Sequence, residues 1–177
     1  LSAGVHIYIP KANEWNPVQP QTQQLKEVSI EDLLPRDEIK IDLESVADTL
    51  CGKCVLVTGS AGSIGSEIVK QICKFGPREM VLIDSAETPQ HDIRLMMAKN
   101  FPEIKAETIV TSVSGIIRME DIFSRYRPDY VFHAAAYKHV PMMENNPSES
   151  IENNVYGTKI LADMAVKDGV KKFVMIS

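Results

Sequence analysis

From residue 54 onward, short apolar runs alternate with stretches in which apolar residues recur every three or four positions. Continuous apolar runs are typical of parallel strands covered on both faces, and the wider spacing is typical of amphipathic helices. The predicted strands are Cys54–Gly59, Met80–Asp84, Thr108–Val110, Tyr130–Ala134 and Lys172–Ile176. The predicted helices between them cover residues 64–75, 88–100, 119–126 and 148–167. This alternation predicts a doubly wound α/β fold with five parallel strands in the order 3-2-1-4-5.

Residues 1–52 lack this alternation and are rich in proline, asparagine and glutamine. They carry four basic and nine acidic side chains, whereas residues 53–177 carry fifteen of each. Only short elements are predicted here: a strand within residues 1–9 and helical turns at residues 29–34 and 45–50. We interpret residues 1–52 as an irregular acidic linker, or the remnant of an upstream domain, that packs on a main domain of residues 53–177.

Composition and charge argue against several classes of function. The net charge of −5 argues against a nucleic-acid partner, and no apolar run approaches the roughly 18 residues of a membrane span. Three cysteines cannot form a full disulfide framework, which favours a reducing compartment. The pair Cys51 and Cys54 precedes a strand rather than opening a helix, and no Cys/His pair supplies further zinc ligands. We therefore predict neither redox chemistry nor a metal site.

A glycine-rich turn joins the first predicted strand to the first predicted helix. Residues 58–65 have the sequence TGSAGSIG, which contains the spacing G-x-x-G-x-x-G. The first glycine permits a sharp turn, the second lets a pyrophosphate approach the backbone, and the third lets the helix pack on the strand. The N–H groups of Ser63, Ile64 and Gly65 would then face the phosphates at the positive helix end. A tight turn without any ligand is the alternative interpretation.

An acidic residue, Asp84, closes the second predicted strand 19 residues after Gly65. A carboxylate at this place can accept both ribose hydroxyls of an adenosine and would repel a 2′-phosphate, which favours NAD over NADP. The glycine motif, this acid and the β-α-β order together predict a Rossmann-like, NAD-binding domain. A solvated acid at the end of a strand is the alternative interpretation of Asp84.

These motifs resemble those of a known family. The spacing T-G-x-x-G-x-x-G is similar to that of the extended short-chain dehydrogenase/reductase superfamily. A narrower resemblance is to CapD-like polysaccharide-biosynthesis proteins, whose characterised members are UDP-N-acetylglucosamine 4,6-dehydratases. The resemblance covers residues 28–177, and the matching stretches are residues 30–34, 62–67, 133–141, 146–147, 154–158 and 172–177.

Two positions depart from the family pattern. Ala61 replaces a usual glycine of the phosphate loop, and Thr111-Ser112 stands where relatives have Gly-Asp. In the family that aspartate contacts the adenine amino group, so the resemblance transfers the contact to Ser112 or to the backbone of Val113. The cofactor-binding residues predicted in this way are Gly59, Ser60, Gly62, Ser63, Ile64, Gly65, Asp84, Ser85, Ser112, Val113, Ala134, Ala135 and Ala136.

The resemblance implies a nucleotide-sugar dehydratase, a lyase that oxidises C4 of a UDP-sugar with NAD, removes water across C5–C6 and returns the hydride to C6. The family's acid–base residues follow the position of Ser177. We therefore expect no catalytic residue within this chain, which we interpret as a truncated fragment that is inactive by itself. A UDP-sugar epimerase or reductase on the same scaffold, and a non-catalytic NAD-binding module, are the alternatives.

Four polar residues near the fourth predicted strand are interpreted individually. Lys138 follows that strand and is the candidate for contacting the UDP-sugar, with a solvated loop lysine as the alternative. His139 is interpreted as a packed loop histidine and His133 as a hydrogen-bonded core histidine. Asn154 is expected to tie down the loop after the strand rather than to take part in catalysis.

The resemblance also implies partners and a location. We expect a UDP-sugar as the partner of the full-length protein, with a homo-oligomer as an open possibility. Longer family members carry upstream membrane helices, so the parent is expected to be anchored in the inner membrane. The fragment itself is expected to be soluble and to lie on the cytoplasmic side.

Overall fold

The computed structural model describes residues 8–10, 25–27 and 43–176. The chain divides into two compact units, Leu1–Ile41 and Asp42–Ser177. The helical turn predicted at residues 45–50 therefore belongs to the second unit, although it was expected within the leading acidic segment. The roles assigned to the two predicted segments stay predictions.

The first unit contains one small sheet among its described residues. Strands β1 (Tyr8–Pro10) and β2 (Leu25–Glu27) pair in antiparallel orientation. The helical turn predicted at residues 29–34 lies outside the described residues, and so does most of the strand predicted within residues 1–9. The leading segment is thus described at these two strands and from residue 43 onward.

The second unit is an α/β domain. Its helices are α1 (Leu43–Leu50), α2 (Ser63–Cys73), α3 (Glu87–Asn100), α4 (Ile116–Tyr126), α5 (Val140–Glu144), α6 (Pro147–Ser150) and α7 (Thr158–Lys167), with a π-helical segment at Ile151–Gly157. Its strands are β3 (Cys54–Thr58), β4 (Glu79–Asp84), β5 (Lys105–Val110), β6 (Tyr130–His133) and β7 (Lys172–Met175). All five pair in parallel in the order β5-β4-β3-β6-β7, which confirms the predicted Rossmann-like sheet.

The central strand β3 shows why its sequence is a continuous apolar run. Cys54 and Leu56 pack on one face with residues of α4 and α7, whereas Val55 and Val57 pack on the other with residues of α1, α2 and α3. All four side chains are fully buried. Because successive side chains of a strand point to opposite faces and both faces carry helices, these four residues are apolar on both faces of β3.

Helix α3 begins earlier than the sequence predicts. The sequence predicts a helix over residues 88–100, but the helix begins at Glu87 and Ala86 stands at the cap position, so that Pro89 lies within the first turn. The backbone N–H groups of the first helical turn have no acceptor within the helix, so a proline is tolerated there without losing a hydrogen bond. The start is held instead by Asp84, whose Oδ1 accepts a hydrogen bond of 2.9 Å from the N–H of Ala86.

The helical stretch predicted at residues 148–167 is also more complex. The loop expected before it contains the short helix α5, and the stretch itself begins at Pro147 with Asn146 at the cap position. A π-helical segment then separates α6 from α7. Apolar spacing does not distinguish a short π helix from an α helix, since their backbone hydrogen bonds differ in span by a single residue. The segment matters because its side chains contact the edge of the sheet where the candidate site lies.

Candidate functional site

Two of the three glycines in the motif serve the fold itself. Gly59 has a φ of +66°, and a Cβ there would lie 2.6 Å from the carbonyl carbon of Ala134. A Cβ at Gly65 would lie 1.9 Å from the carbonyl oxygen of Gly59. Any side chain at either position would therefore collide with backbone, which keeps β3, the turn and α2 in close contact.

Gly62 is different, because little in the protein requires a glycine there. Its φ is −71°, which any residue can adopt, and an added Cβ would only approach the Gly59 oxygen at 3.3 Å. Helix α2 begins one residue later, and its first backbone hydrogen bond runs from the Ser66 N–H to the Gly62 oxygen at 2.9 Å. The N–H groups of Ser63, Ile64 and Gly65 precede this bond and have no acceptor within the helix.

A groove runs along the carboxyl edge of the sheet in two connected parts. The first part is lined by Gly59, Gly62, Ile83, Asp84, Ser85, Thr111, Ser112, Val113, Ala134, Ala135, Ala136, Tyr137 and Asn153. The second part is lined by Gly62, Ser63, Ile64, Gly65, Ala134, Ala136, Lys138, His139 and Ile176. The structure thus brings together every predicted cofactor residue except Ser60, and it places Lys138 in the same groove.

Ser60 lies beneath the groove and not in its lining. Its side chain is fully buried, and its hydroxyl donates a hydrogen bond of 2.9 Å to Oε1 of Gln90. Its N–H donates to the Ile83 oxygen at 3.1 Å. Since both donors of Ser60 bind within the protein, this residue supports the glycine-rich turn and offers no donor to a ligand.

The carboxylate of Asp84 connects the glycine-rich turn to the beginning of α3. Oδ2 accepts a hydrogen bond of 3.0 Å from the Ala61 N–H, and Oδ1 accepts from the Ala86 N–H. A carboxylate oxygen has two lone pairs, so each oxygen can still accept one further hydrogen bond. Asp84 therefore has both a structural role and the capacity to accept from a ligand's hydroxyl groups.

Sequence reasoning missed three residues with polar side chains in the first part of the groove, Thr111, Tyr137 and Asn153. The loop containing Tyr137 is held by the neighbouring Asn154, whose Oδ1 accepts from the Tyr137 N–H and whose Nδ2 donates to the Tyr137 oxygen, both at 2.9 Å. This confirms the predicted role of Asn154. Asn153 donates to the Ala135 oxygen at 3.3 Å. The two adjacent asparagines, Asn153 and Asn154, were the signal in the sequence for contacts with this loop. The role of Asn153 was missed because the sequence does not show the register of a π helix, and the register decides which side chains face the loop.

His139 was wrongly predicted as a packed loop residue. Its side chain is exposed and lines the groove together with Lys138, which is also exposed. The reason is that His139 precedes α5, where its carbonyl oxygen accepts hydrogen bonds from the N–H groups of Met142 and Met143. The backbone is thereby held at the helix start while the imidazole ring stays outside the core.

His133 is confirmed as a hydrogen-bonded core histidine. It is 3% exposed, with Nδ1 lying 2.7 Å from Oγ1 of Thr58 and Nε2 lying 2.8 Å from Oγ1 of Thr158. The Thr158 hydroxyl donates to the Asn154 oxygen, so Nε2 must be the donor towards Thr158 and Nδ1 the acceptor. Burial lowers the pKa of His133, which favours this neutral form.

The cysteines are free thiols. Burial raises the pKa of the Cys54 thiol to about 11, and the neighbouring Glu79 adds to the effect, so the reactive thiolate is disfavoured. Among residues 43–176, no cluster of His, Cys, Asp and Glu side chains could hold a metal ion. A search of the described helices finds none with the length and apolar character needed to cross a bilayer.

Comparison with known proteins assigns the chain to a family. The family described as "Polysaccharide biosynthesis protein" matches residues 55–177, which include the groove and all of the five-stranded sheet except Cys54. The chain belongs to this polysaccharide biosynthesis protein family. One relative, the capsular polysaccharide biosynthesis protein CapD of Staphylococcus aureus, is 38% identical over 176 residues, which are 98% of this chain. The family resemblance inferred from the motifs is thereby confirmed.

Two further relatives in this comparison bear the names of nucleotide-sugar enzymes. A UDP-N-acetylglucosamine 4,6-dehydratase (inverting) of Campylobacter jejuni is 30% identical over 71% of this chain. The crystal structure of a Thermus thermophilus UDP-glucose 4-epimerase in complex with NAD superposes with a TM-score of 0.57 and 28% identity over 70% of this chain. The chain spans 29% of the CapD protein and 36% of each of the other two.

Proposed function

We propose that the chain is the NAD-binding part of a nucleotide-sugar 4,6-dehydratase of the UDP-N-acetylglucosamine type. The observation that carries this proposal is the groove, in which unpaired N–H groups of a helix start, an unobstructed Gly62 and the Asp84 carboxylate share one surface. The names of the family relatives support a nucleotide-sugar substrate, and the NAD-bound epimerase supports the cofactor.

The residues of the groove fit a dinucleotide in a definite order. The N–H groups of Ser63 and Ile64 would donate to the pyrophosphate, which Gly62 allows to approach because it has no Cβ. The oxygens of Asp84 would accept from the adenosine ribose hydroxyls, and their negative charge would repel the 2′-phosphate of NADP. NAD, when bound, supplies the acceptor and the donor of the hydride.

Lys138 is proposed to contact the UDP-sugar. It is exposed in the second part of the groove, beside His139 in the loop after β6, whereas Asp84 ends β4 on the other side of β3. An ammonium group there would attract a diphosphate or donate to a sugar hydroxyl. Because the chain spans 29% and 36% of its relatives, the acid–base residues of the reaction are proposed to lie in the remainder of the full-length protein. Its attachment to a membrane and its oligomeric state stay predictions.

A UDP-sugar epimerase is the second candidate. It is favoured by the structural match to the Thermus thermophilus UDP-glucose 4-epimerase, which covers 70% of this chain. Both reactions begin from the same cofactor and a UDP-sugar, so the groove described above would serve either. A reductase, or a module that binds NAD without catalysis, would also use this groove, and the reaction product separates these alternatives.

The proposal predicts that the chain binds NAD and that Gly62→Val abolishes binding. A valine side chain would occupy the space needed by the pyrophosphate, while the fold would remain because φ at this position suits any residue. Isothermal titration calorimetry with NAD and with NADP measures the affinities. We expect NAD to bind at least roughly tenfold more tightly than NADP, given the repulsion between Asp84 and a 2′-phosphate.

The matched control is Glu67→Ala, which changes an exposed side chain of the same helix. It should bind NAD like the original chain, because surface ion pairs contribute little to stability. Equal or tighter binding of NADP would contradict the role of Asp84. NAD binding by a folded Gly62→Val variant would contradict the position of the pyrophosphate.

A further inference from the structure

The edge of the five-stranded sheet that lies opposite the groove has its own surface. All five strands are parallel, so their amino ends share this edge, and the helices that precede them run back and end there. The last helical turns, the connections and the strand starts at this edge are residues 47–54, 70–79, 97–105, 123–130 and 164–172. We call the surface formed by these five segments the amino edge.

The amino edge is strongly basic, although the chain as a whole is acidic. Its five segments contain eleven basic and five acidic side chains, whereas the rest of residues 43–176 contain four basic and twelve acidic ones. Ten of the eleven basic side chains are exposed and one, Lys53, is half-buried. The eleven are Lys53, Lys70, Lys74, Arg78, Lys99, Lys105, Arg125, Arg127, Lys167, Lys171 and Lys172. The second unit thus carries its positive charge at one edge and its negative charge on the remaining surface.

Favourable interaction with the helix ends explains only part of this pattern. Four of the basic residues lie in last helical turns, where a positive charge complements the helix dipole. Two more, Lys74 and Arg127, stand at the C-cap positions of α2 and α4. The other five stand at the starts of strands, where no such reason applies: Lys53, Arg78, Lys105, Lys171 and Lys172.

Ion pairs leave most of this positive charge unneutralised. Within the amino edge, Glu79 pairs with Lys105 at 2.6 Å and Asp129 pairs with Lys171 at 2.7 Å. Two further lysines pair with glutamates outside the edge. In the part of the chain that the structure describes, seven of the basic residues form no ion pair: Lys53, Lys74, Arg78, Lys99, Arg125, Arg127 and Lys172.

An apolar side chain is exposed among these charges. Val166 is 84% exposed in the last turn of α7, beside Lys167. The aromatic residues of the five segments are buried or half-buried, so the edge lacks the exposed rings on which nucleic-acid bases stack. A membrane surface with anionic lipids offers both negative headgroups and an apolar interior. Basic side chains around an exposed valine therefore fit such a surface better than a nucleic acid.

We propose that the amino edge docks reversibly on a membrane surface that contains anionic lipids. Lysine and arginine side chains would contact the headgroups, and Val166 would reach the boundary of the acyl chains. The groove, at the opposite edge of the sheet, would then face the solvent, and the acidic remainder of the unit would be held away by repulsion. This inference does not depend on the proposed function.

Sedimentation with lipid vesicles tests the proposal. The chain should bind vesicles made of equal parts of phosphatidylcholine and phosphatidylglycerol, and it should not bind vesicles of phosphatidylcholine alone. Raising the salt concentration from about 0.1 M to about 1 M shortens the screening length from roughly 10 Å to roughly 3 Å, so the bound protein should be released.

A triple variant and a matched control locate the binding surface. Each basic residue near an anionic bilayer contributes roughly fivefold in affinity, so removal of three should weaken binding roughly a hundredfold. The triple variant removes three exposed charges without ion pairs: Lys74→Gln, Lys99→Gln and Lys172→Gln. The control has the same net charge but removes three exposed charges outside the amino edge, and it should bind like the original chain: Arg94→Gln, Arg118→Gln and Lys159→Gln.

A polarity-sensitive dye reports the orientation of the bound protein. Cys51 lies in the amino edge and is exposed, whereas burial raises the pKa of the Cys54 and Cys73 thiols to about 11, so the dye reacts with Cys51. Its emission should shift to the blue on anionic vesicles. The same dye on Glu149→Cys in a Cys51→Ser background lies outside the amino edge and should show no shift.

Val166→Ser separates a lipid partner from other polyanions. The variant should bind anionic vesicles several-fold more weakly, because it loses the apolar contact, and thermal melting confirms that this and the other variants are folded. No binding to anionic vesicles, or equal losses in the triple variant and its control, would overturn the proposal. Comparable binding of a DNA duplex, together with unchanged vesicle binding by Val166→Ser, would overturn lipid as the partner. Calorimetry with NAD judges the proposed function separately.

Discussion

Gly62 and Gly65 stand three positions apart in one motif, yet the protein needs them for different reasons. A Cβ at Gly65 would lie 1.9 Å from a carbonyl oxygen, whereas a Cβ at Gly62 would lie at 3.3 Å from the same oxygen, that of Gly59. The first distance is impossible for a folded chain, and the second is tolerated after a small shift. Gly65 is thus required by packing, and Gly62 is the position at which a missing side chain is available to a ligand.

Gln90 is the residue that most clearly supports the glycine-rich turn from below. Its side chain is 1% exposed, and its Nε2 donates to the Leu82 oxygen at 2.7 Å and to the Ile109 oxygen at 3.4 Å. Its Oε1 accepts from the Ser60 hydroxyl. One amide therefore connects β4, β5 and the turn, and all of its buried polar atoms are paired.

We predict that Ser60 and Gln90 are energetically coupled. Ser60→Ala and Gln90→Leu should each lower the free energy of unfolding by about 1–3 kcal/mol, because each leaves a buried polar partner unpaired. The double variant removes both partners and should lose less than the sum, by roughly 1 kcal/mol. Urea denaturation of the original chain, the two single variants and the double variant measures the coupling free energy. Strictly additive losses would show that the hydrogen bond does not couple the turn to α3.

At the scale of single elements, the π-helical segment organises the groove. Glu152 binds the loop after β5, while Asn153 and Asn154 bind the loop after β6. The wider turn of a π helix moves neighbouring side chains off the positions they would have in an α helix, and such segments are frequent at functional sites. This one segment therefore holds the two loops that form the outer wall of the groove.

At the amino ends of the strands, the carboxylate of Asp129 joins neighbouring strands by hydrogen bonds. Its Oδ2 accepts from the Cys54 N–H at 3.0 Å, and its Oδ1 accepts from Nζ of Lys171 at 2.7 Å. Asp129 precedes β6, Cys54 begins β3 and Lys171 precedes β7, so one carboxylate connects three strands. Partial burial alone would raise the pKa of Asp129, but the hydrogen bonds from Lys171 and from the Cys54 N–H outweigh it and lower the pKa.

This lowered pKa predicts how stability depends on pH. The ionised form of Asp129 is favoured in the folded state, so its contribution is complete above the ordinary carboxyl pKa of 3.8 and is lost as the pH falls through the lower folded value. Asp129→Asn should lower the free energy of unfolding by about 1 kcal/mol at neutral pH. We expect the difference between the two proteins to stay constant down to about pH 5 and to shrink below about pH 4.

Chemical denaturation across this pH range checks the prediction, and NAD binding provides its control. Asp129 lies at the opposite edge of the sheet from the groove, so Asp129→Asn should bind NAD normally. A difference in stability that does not change with pH would show that the carboxylate is not ionised preferentially in the folded protein.

For the whole molecule, we propose that this chain binds the cofactor and that the acid–base residues lie in the remainder of the full-length protein. The 177-residue chain is therefore predicted not to dehydrate UDP-N-acetylglucosamine. The groove offers the proposed cofactor contacts, whereas a concerted acid–base set loses most of its rate when any member is absent. Incubation with UDP-N-acetylglucosamine and NAD, followed by mass spectrometry, would reveal a product lighter by one water. Such a product would assign the chemistry to residues present here, with Lys138 and His139 as the first candidates. An isomerised sugar of unchanged mass would favour the epimerase.

The sequence by itself determined the sheet and most of the candidate site. Parallel strands that are covered on both faces are mostly apolar, and a strand–turn–helix that holds phosphate needs glycines at fixed spacing, so both leave local patterns. The five strands, their order, the glycine-rich turn and Asp84 follow from such patterns, whereas the predicted lining residues after β5 and β6 came from the family resemblance. The exception within the turn is Ser60. Its hydroxyl binds a residue 30 positions away, and no local pattern records that contact.

Only the tertiary structure decided which polar groups are already paired. Ser114 and Glu152 come together across 38 positions of the chain, and the hydrogen bond between them forms only once they touch. The same holds for His139, which helix geometry leaves exposed, and for the π-helical segment, whose register depends on contacts with two loops. Hydrophobic periodicity records which face of an element is buried, whereas the pairing of polar atoms is set by long-range packing.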